Sequence, residues 1–136
     1  MKPLRILLVE DNKGDVLLAM ETLNDSRVLH DTTTVSDGKA AIDFFENIKI
    51  RDETPDVVLL DINLPKKSGH EVLQYIKKGP LYTHVKVIML TTSSAERDIL
   101  AAYKYYADGY IIKPLAIDEL IAALIKAGTG IPLTNQ

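Results

Sequence analysis

The strongest constraint on the fold of this chain is a repeated change of hydrophobic period. Short aliphatic or β-branched runs alternate with longer stretches whose apolar residues fall three and four apart. "RILLVE" (5–10) is continuous enough for a strand buried on both faces. "GDVLLAMETLND" then sets Val16, Leu17, Met20 and Leu23 on one helical face. "HDTTTVS" is β-branched and reads as a second strand, and "DGKAAIDFFENI" spaces Ala41, Phe44, Phe45 and Ile48 for a second helix. "DVVLL" (56–60) predicts a third strand, followed by a helix in "GHEVLQYIKK" with Val72, Leu73 and Ile76 inward. "VKVIML" (85–90) predicts a fourth strand, and "SAERDILAAYKYYA" a helix with Ser94 as its N-cap. "GYIIK" makes a short fifth strand, and "AIDELIAALIKAG" a last helix closed by Gly128.

Such alternation implies an α/β fold, a five-stranded parallel sheet with helices on both faces. A chain of 136 residues is long enough to bury the core of one such domain. The expected organisation is one domain over residues 1–128 and a C-terminal tail, "TGIPLTNQ", over 129–136, with no separate output domain. "IKIRDETP" reads as an extended loop after the second helix. A net charge of -3 and no Lys/Arg block give no footprint for nucleic acid. The absence of cysteine excludes disulfides and thiolate chemistry and fits a reducing compartment. No apolar run approaches the ~20 residues of a membrane span, and the first strand meets acids too early for a secretion signal. The expectation is a soluble cytoplasmic domain.

Function is read from the strand ends. The first strand ends in Glu10-Asp11, the third in Asp61, the fourth in Thr91-Thr92 and the fifth in Lys113-Pro114. In an open parallel sheet of order 2-1-3-4-5, ligands bind outside the carboxyl ends of the strands, and these polar ends would share one crevice. Each has a bland reading alone: an acidic pair starting a helix, an Asx turn at Asp61, a lysine flanking an edge strand. Together they form a chemical set. Clustered carboxylates repel unless a cation sits among them, and Mg²⁺ takes one or two carboxylates together with phosphate oxygens and waters. Lys113 adds a fixed positive charge and Thr91 a hydroxyl donor. That combination suits phosphoryl transfer, which depends on positioning and charge neutralisation, with Asp61 as nucleophile.

Through "VED", "LLDINLP" with "SG", "LTT" and "KP" in this order, the chain resembles the receiver domains of two-component response regulators over residues 4–128. Through "LVED" and "LLDINLPKKSG" it is similar to the standalone cyanobacterial phytochrome regulators among them. The resemblance implies a flavodoxin-like (βα)5 fold and a phosphoacceptor signalling protein, not an enzyme acting on a separate substrate. It implies that Asp61 accepts a phosphoryl group from a phosphohistidine on a sensor histidine kinase or phosphotransfer protein. Glu10, Asp11, Asp61 and the backbone carbonyl of Asn63 would hold Mg²⁺. Lys113 would bind a phosphoryl oxygen, and Thr91 and Tyr110 would be the switch pair. Asn63 and Ser93 would tune hydrolysis of the acyl phosphate. Output would pass through the face of the fourth helix, fifth strand and fifth helix, to a partner or a homodimer, without nucleic acid or membrane. The resemblance also implies a cis peptide before Pro114.

Two departures stand out: Thr92 is larger than the small residue the family usually places after the switch threonine, and Glu10 replaces a common Asp. In "AAYKYYADGY", Tyr103 and Tyr106 share the spacing of Ile99 and are expected to be partly core, with Tyr105 exposed. His30, His70 and His84 lack metal-ligand spacing. A haloacid-dehalogenase-type hydrolase would need a second Asp two residues after the nucleophile, where this chain has Asn63. A receiver that never takes phosphate would be expected to lack an acid, the acceptor or the lysine. A nucleotide-binding relative would need a Gly-rich loop after the first strand.

Overall fold

Unbroken aliphatic and β-branched runs become strands. The computed structural model describes residues 2–134 and places strands β1 (Leu4–Val9), β2 (His30–Val35), β3 (Val57–Leu60), β4 (Lys86–Thr91) and β5 (Gly109–Ile112). All pair in parallel, in the expected order β2-β1-β3-β4-β5. Helices α1 (Lys13–Asp25), α2 (Gly38–Glu46), α3 (Gly69–Lys78) and α4 (Glu96–Lys104) supply the four crossovers, and α5 (Ile117–Lys126) follows β5. None of them is long and apolar enough to cross a membrane.

Alternate strand residues feed two cores. Leu7, Val9, Val58, Leu60, Val87 and Met89 meet α2, α3 and α4 through Ala41, Phe45, Leu73, Ile76 and Ala102. Ile6, Leu8, Val57, Leu59, Ile88 and Leu90 meet α1 and α5 through Ala19, Leu23, Leu120 and Leu124. Full burial of one such aliphatic side chain stabilises the fold by about 1.5–3 kcal/mol. The two cores therefore fix the sheet between its helices without any covalent cross-link.

The structure departs from the sequence expectations at several ends and edges. Leu17 is exposed, because the inward stripe of α1 centres on Ala19 and Leu23, flanked by Val16 and Met20. Ser94 does not cap α4; the helix begins after Ala95 with no side-chain cap, and the preceding Ser93 hydroxyl accepts the Ala95 N–H at 3.3 Å. The loop after α2 contains a 3-10 turn at Arg51–Glu53. The segment read as a tail is paired up to Thr134: Val28 and Leu133 form an antiparallel bridge, with Leu29 N–H donating to the Pro132 carbonyl at 2.7 Å.

Two turns that support the strand ends interlock. Ser68 caps α3 by accepting the Glu71 N–H at 3.2 Å, and the Glu71 carboxylate accepts the Ser68 N–H at 3.3 Å. Gly69 follows, donating its N–H to the Ile62 carbonyl at 2.8 Å, and a Cβ there would collide with the Asp61 carbonyl oxygen. Gly38 donates its N–H to the Pro65 carbonyl at 3.2 Å, and a Cβ there would collide with the Lys67 carbonyl. The β3–α3 loop is thus gripped from its own helix and from the start of α2.

Gly69→Ala is expected to lower the unfolding free energy by about 2 kcal/mol, because a backbone oxygen must move. Gly130→Ala, where a Cβ meets nothing within 4 Å, is expected to stay within about 0.5 kcal/mol of wild type. Urea unfolding of both variants checks the contrast.

Candidate functional site

β1, β3, β4 and β5 all end in polar residues, and the parallel register brings these ends together. Glu10 continues β1, its N–H bonded to the Val35 carbonyl at 3.0 Å, and is buried. Asp61 continues β3, its N–H bonded to the Val9 carbonyl at 3.1 Å, and is also buried. One carboxylate oxygen each of Glu10, Asp11 and Asp61 lie within 4.8 Å of one another, and Asp11 is exposed to the crevice mouth. This is the sole grouping of three or more potential metal-ligating His, Asp or Glu side chains among the described residues. Its all-oxygen donor set suits a hard divalent cation.

Lys113 reaches into the same space from the end of β5. Its Nζ donates to Glu10 Oε1, to Asp15 Oδ2 at 2.9 Å and to Asp61 Oδ2 at 3.1 Å, and its side chain is only 10% exposed. Burial alone would lower its pKa, but the bonds to Glu10, Asp15 and Asp61 outweigh it and hold the ammonium above the usual lysine range. Burial raises the Glu10 pKa as well, toward its neutral form, against the opposing hydrogen bond from Lys113. Four carboxylates thus face one ammonium group, an arrangement short of positive charge. The Lys113–Pro114 peptide is cis, as the resemblance implied.

Asp15 did not emerge from the strand-end pattern. Its signal was its place in the first turn of α1, just after the acidic end of β1. Asn12 sits between them and caps α1, its Oδ1 accepting the Asp15 N–H at 2.9 Å.

Thr91 is wholly buried at the end of β4, and its carbonyl accepts the Lys113 N–H at 2.8 Å. Its hydroxyl oxygen accepts the Ser93 N–H at 3.3 Å. Tyr110 on β5 donates its hydroxyl to the Ser93 carbonyl at 2.9 Å, and burial raises its pKa. The Asn63 N–H donates to Asp61 Oδ1 at 3.3 Å, orienting the carboxylate from the loop side. Thr92 is exposed and lines a shallow pocket with Asp15, Leu18, Leu90, Lys113 and Pro114 beside the crevice.

The tyrosines of α4 reverse the expectation. Tyr103 is 45% and Tyr106 76% exposed, whereas Tyr105 packs partly against the core. The helix ends at Lys104 and Tyr106 takes a left-handed φ of 70°, so the helical stripe from Ile99 does not extend to it. The histidines stay apart from any metal group: His30 contacts Thr32 and Asn24, His84 contacts Thr54, and His70 faces Asp98.

The response regulator receiver domain family model matches residues 6–125. The response regulator Rcp1 of Synechocystis sp. is 39% identical over 120 residues, covering 87% of this chain and 82% of its own length. A structure of the Mn(2+)-bound form of Rcp1 superposes with a TM-score of 0.74 at 38% identity, over 93% of this chain and 91% of that one. The bacteriophytochrome response regulator AtBRR superposes with a TM-score of 0.86 at 31% identity, over 100% of each chain. The phosphorylated cyanobacterial phytochrome response regulator RcpA gives a TM-score of 0.75 at 39% identity, over 93% of this chain and 91% of that one.

Lys113→Met is expected to destabilise the metal-free protein by about 3 kcal/mol at pH 7, since it leaves paired carboxylates buried without their cation. The folded Glu10 pKa, already raised by burial, then rises further without its bond from Lys113, so this group favours folding only when protonated. The deficit is therefore greatest at neutral pH and shrinks as pH falls toward about 4. Denaturant unfolding at both pH values measures it; equal stability of variant and wild type at pH 7 would contradict the electrostatic account.

Proposed function

The chain belongs to the response regulator receiver domain family, and from that premise we propose that it is a phosphorylation-controlled signalling switch with Asp61 as phosphoacceptor. Receiver domains are phosphoacceptor modules, not enzymes acting on separate substrates, and they typically partner a sensor histidine kinase. The observation that carries the residue assignment is the convergence on the Asp61 carboxylate of Lys113 at 3.1 Å and of the acids Glu10 and Asp11 within 4.8 Å.

In this reading an Asp61 carboxylate oxygen attacks the phosphorus of a kinase phosphohistidine. The O–P bond forms as the P–N bond breaks, and the departing imidazole keeps the nitrogen electron pair and takes up a proton. Lys113 shifts its ammonium onto a phosphoryl oxygen, and the Thr91 hydroxyl donates to another. Glu10, Asp11, Asp61 and the Asn63 backbone carbonyl would hold Mg²⁺, which supplies neutralisation of phosphoryl charge when bound. The Mn(2+)-bound form of Rcp1 and the phosphorylated form of RcpA support this reading by family likeness. Asn63 and Ser93 flank the acyl phosphate and tune its hydrolysis.

The new group adds roughly -1.5 to -2 charge to a crevice already rich in carboxylates. Thr91 and Tyr110 pass that change to the face of α4, β5 and α5, where Leu100, Tyr103, Tyr106 and Ile112 are exposed. Output goes through a protein partner or through self-association by this face.

Incubation with a small-molecule phosphodonor and Mg²⁺ is expected to add one acid-stable, base-labile phosphate, mapped to Asp61 by mass spectrometry. Chelation of the metal or Asp61→Asn is expected to abolish it. Equal modification of the Asp61→Asn protein would overturn the assignment.

A further inference from the structure

Behind Thr91, the β4–α4 loop is fastened by Ser93. The Ser93 N–H donates to the Thr91 hydroxyl oxygen at 3.3 Å, and Ser93 is held from two further elements. Its hydroxyl donates to Asp98 Oδ2 on α4 at 2.6 Å, and its carbonyl accepts the Tyr110 hydroxyl from β5 at 2.9 Å. The other Asp98 oxygen faces His70 Nε2 on α3 at 3.6 Å, outside hydrogen-bond reach but within ion-pair range. Both ring nitrogens of His70 are buried and have no hydrogen-bond partner among the described residues. A buried polar group left in that condition calls for an explanation. The bond from Ser93 holds the Asp98 carboxyl below the usual carboxylate range, so the acceptor is ionised at neutral pH.

Asp98 sits in the first turn of α4, where any acid is favoured by the helix dipole. The dipole accounts for its charge. It does not account for a side chain turned onto the Ser93 hydroxyl, nor for the continuation of that contact to the hydroxyl of a fully buried threonine. With its oxygen occupied by the Ser93 N–H, the Thr91 hydroxyl keeps its proton available for the crevice, and the direction of that proton depends on where Ser93 is held.

We propose that Asp98 is a positioning residue for phosphoryl transfer to Asp61, acting through Ser93 on the hydroxyl of Thr91. This rests on the phosphoacceptor reading of Asp61 given above. Loss of the Asp98 acceptor frees Ser93 to shift, and a misplacement of about 1 Å near a reacting group can cost on the order of 100-fold in rate.

The test uses the full chain, a small phosphodonor and saturating Mg²⁺, with Asp61 phosphorylation followed by mass and Mg²⁺ affinity by calorimetry. Asp98→Ala is expected to slow phosphorylation by about tenfold with Mg²⁺ affinity unchanged. Asp98→Asn keeps an oxygen acceptor for Ser93 and is expected to restore the rate to within about twofold of wild type. Ser93→Ala is expected to be as slow as Asp98→Ala, and the double variant no slower than either. Wild-type rate in Asp98→Ala, equal slowing in Asp98→Asn, or fully additive effects of the two alanine substitutions would each overturn the inference while leaving Asp61 as acceptor. Failure of the wild-type protein to take phosphate at Asp61 would overturn the phosphoacceptor reading and this inference with it. Circular dichroism confirms that each variant is folded before its rate is compared.

Discussion

One ammonium group set among four carboxylates organises the carboxyl end of this sheet. Lys113 draws in Glu10 from β1, Asp15 from α1 and Asp61 from β3, three segments that are distant in sequence. Such a cluster is a poor source of stability, because removing the charges from water costs about as much as their mutual attraction returns. Its value is positional. The lysine holds the anions close, but leaves them short of positive charge and therefore receptive to a cation, while its own contacts can be exchanged for phosphoryl oxygens.

The backbone makes this crowding tolerable. Glu10 and Asp61 extend directly from strands that are buried at every residue but Arg5, so their main chains cannot retreat from one another. The β3–α3 loop is similarly constrained, with Gly69 against the Asp61 carbonyl and Gly38 against the Lys67 carbonyl. The chemistry therefore rests on rigid strand ends and gripped turns, which hold side chains more closely than free loops do.

Much of this could be read in the sequence because burial writes simple patterns. The aliphatic runs located every strand to within a residue or two, and polar residues that ended those runs named Glu10, Asp11, Asp61, Thr91 and Lys113. The misses have physical causes. Asp15 and Asp98 lie on helices that also carry exposed acids, and only the three-dimensional approach of Lys113 and Ser93 distinguishes them. Tyr106 was misplaced because helical periodicity was carried two residues beyond Lys104, past the point where the backbone turns left-handed. Ser94 looked like a cap in sequence, but Ser93 makes the hydrogen bonds at that helix start, and no local pattern separates two adjacent serines.

The two ends of the described chain meet at a single residue. Leu29 accepts the Leu4 N–H through its carbonyl at 2.8 Å and donates its own N–H to the Pro132 carbonyl at 2.7 Å. Both lie at the amino-terminal pole of the sheet, across the full strand length from Asp61. A tag, tether or fused domain attached at either end would leave from that pole, and the crevice would stay clear for a docking protein. Neighbouring ends also suit circular permutation: a short linker could join them, and the chain could be reopened at an exposed turn with the phosphorylation pole undisturbed.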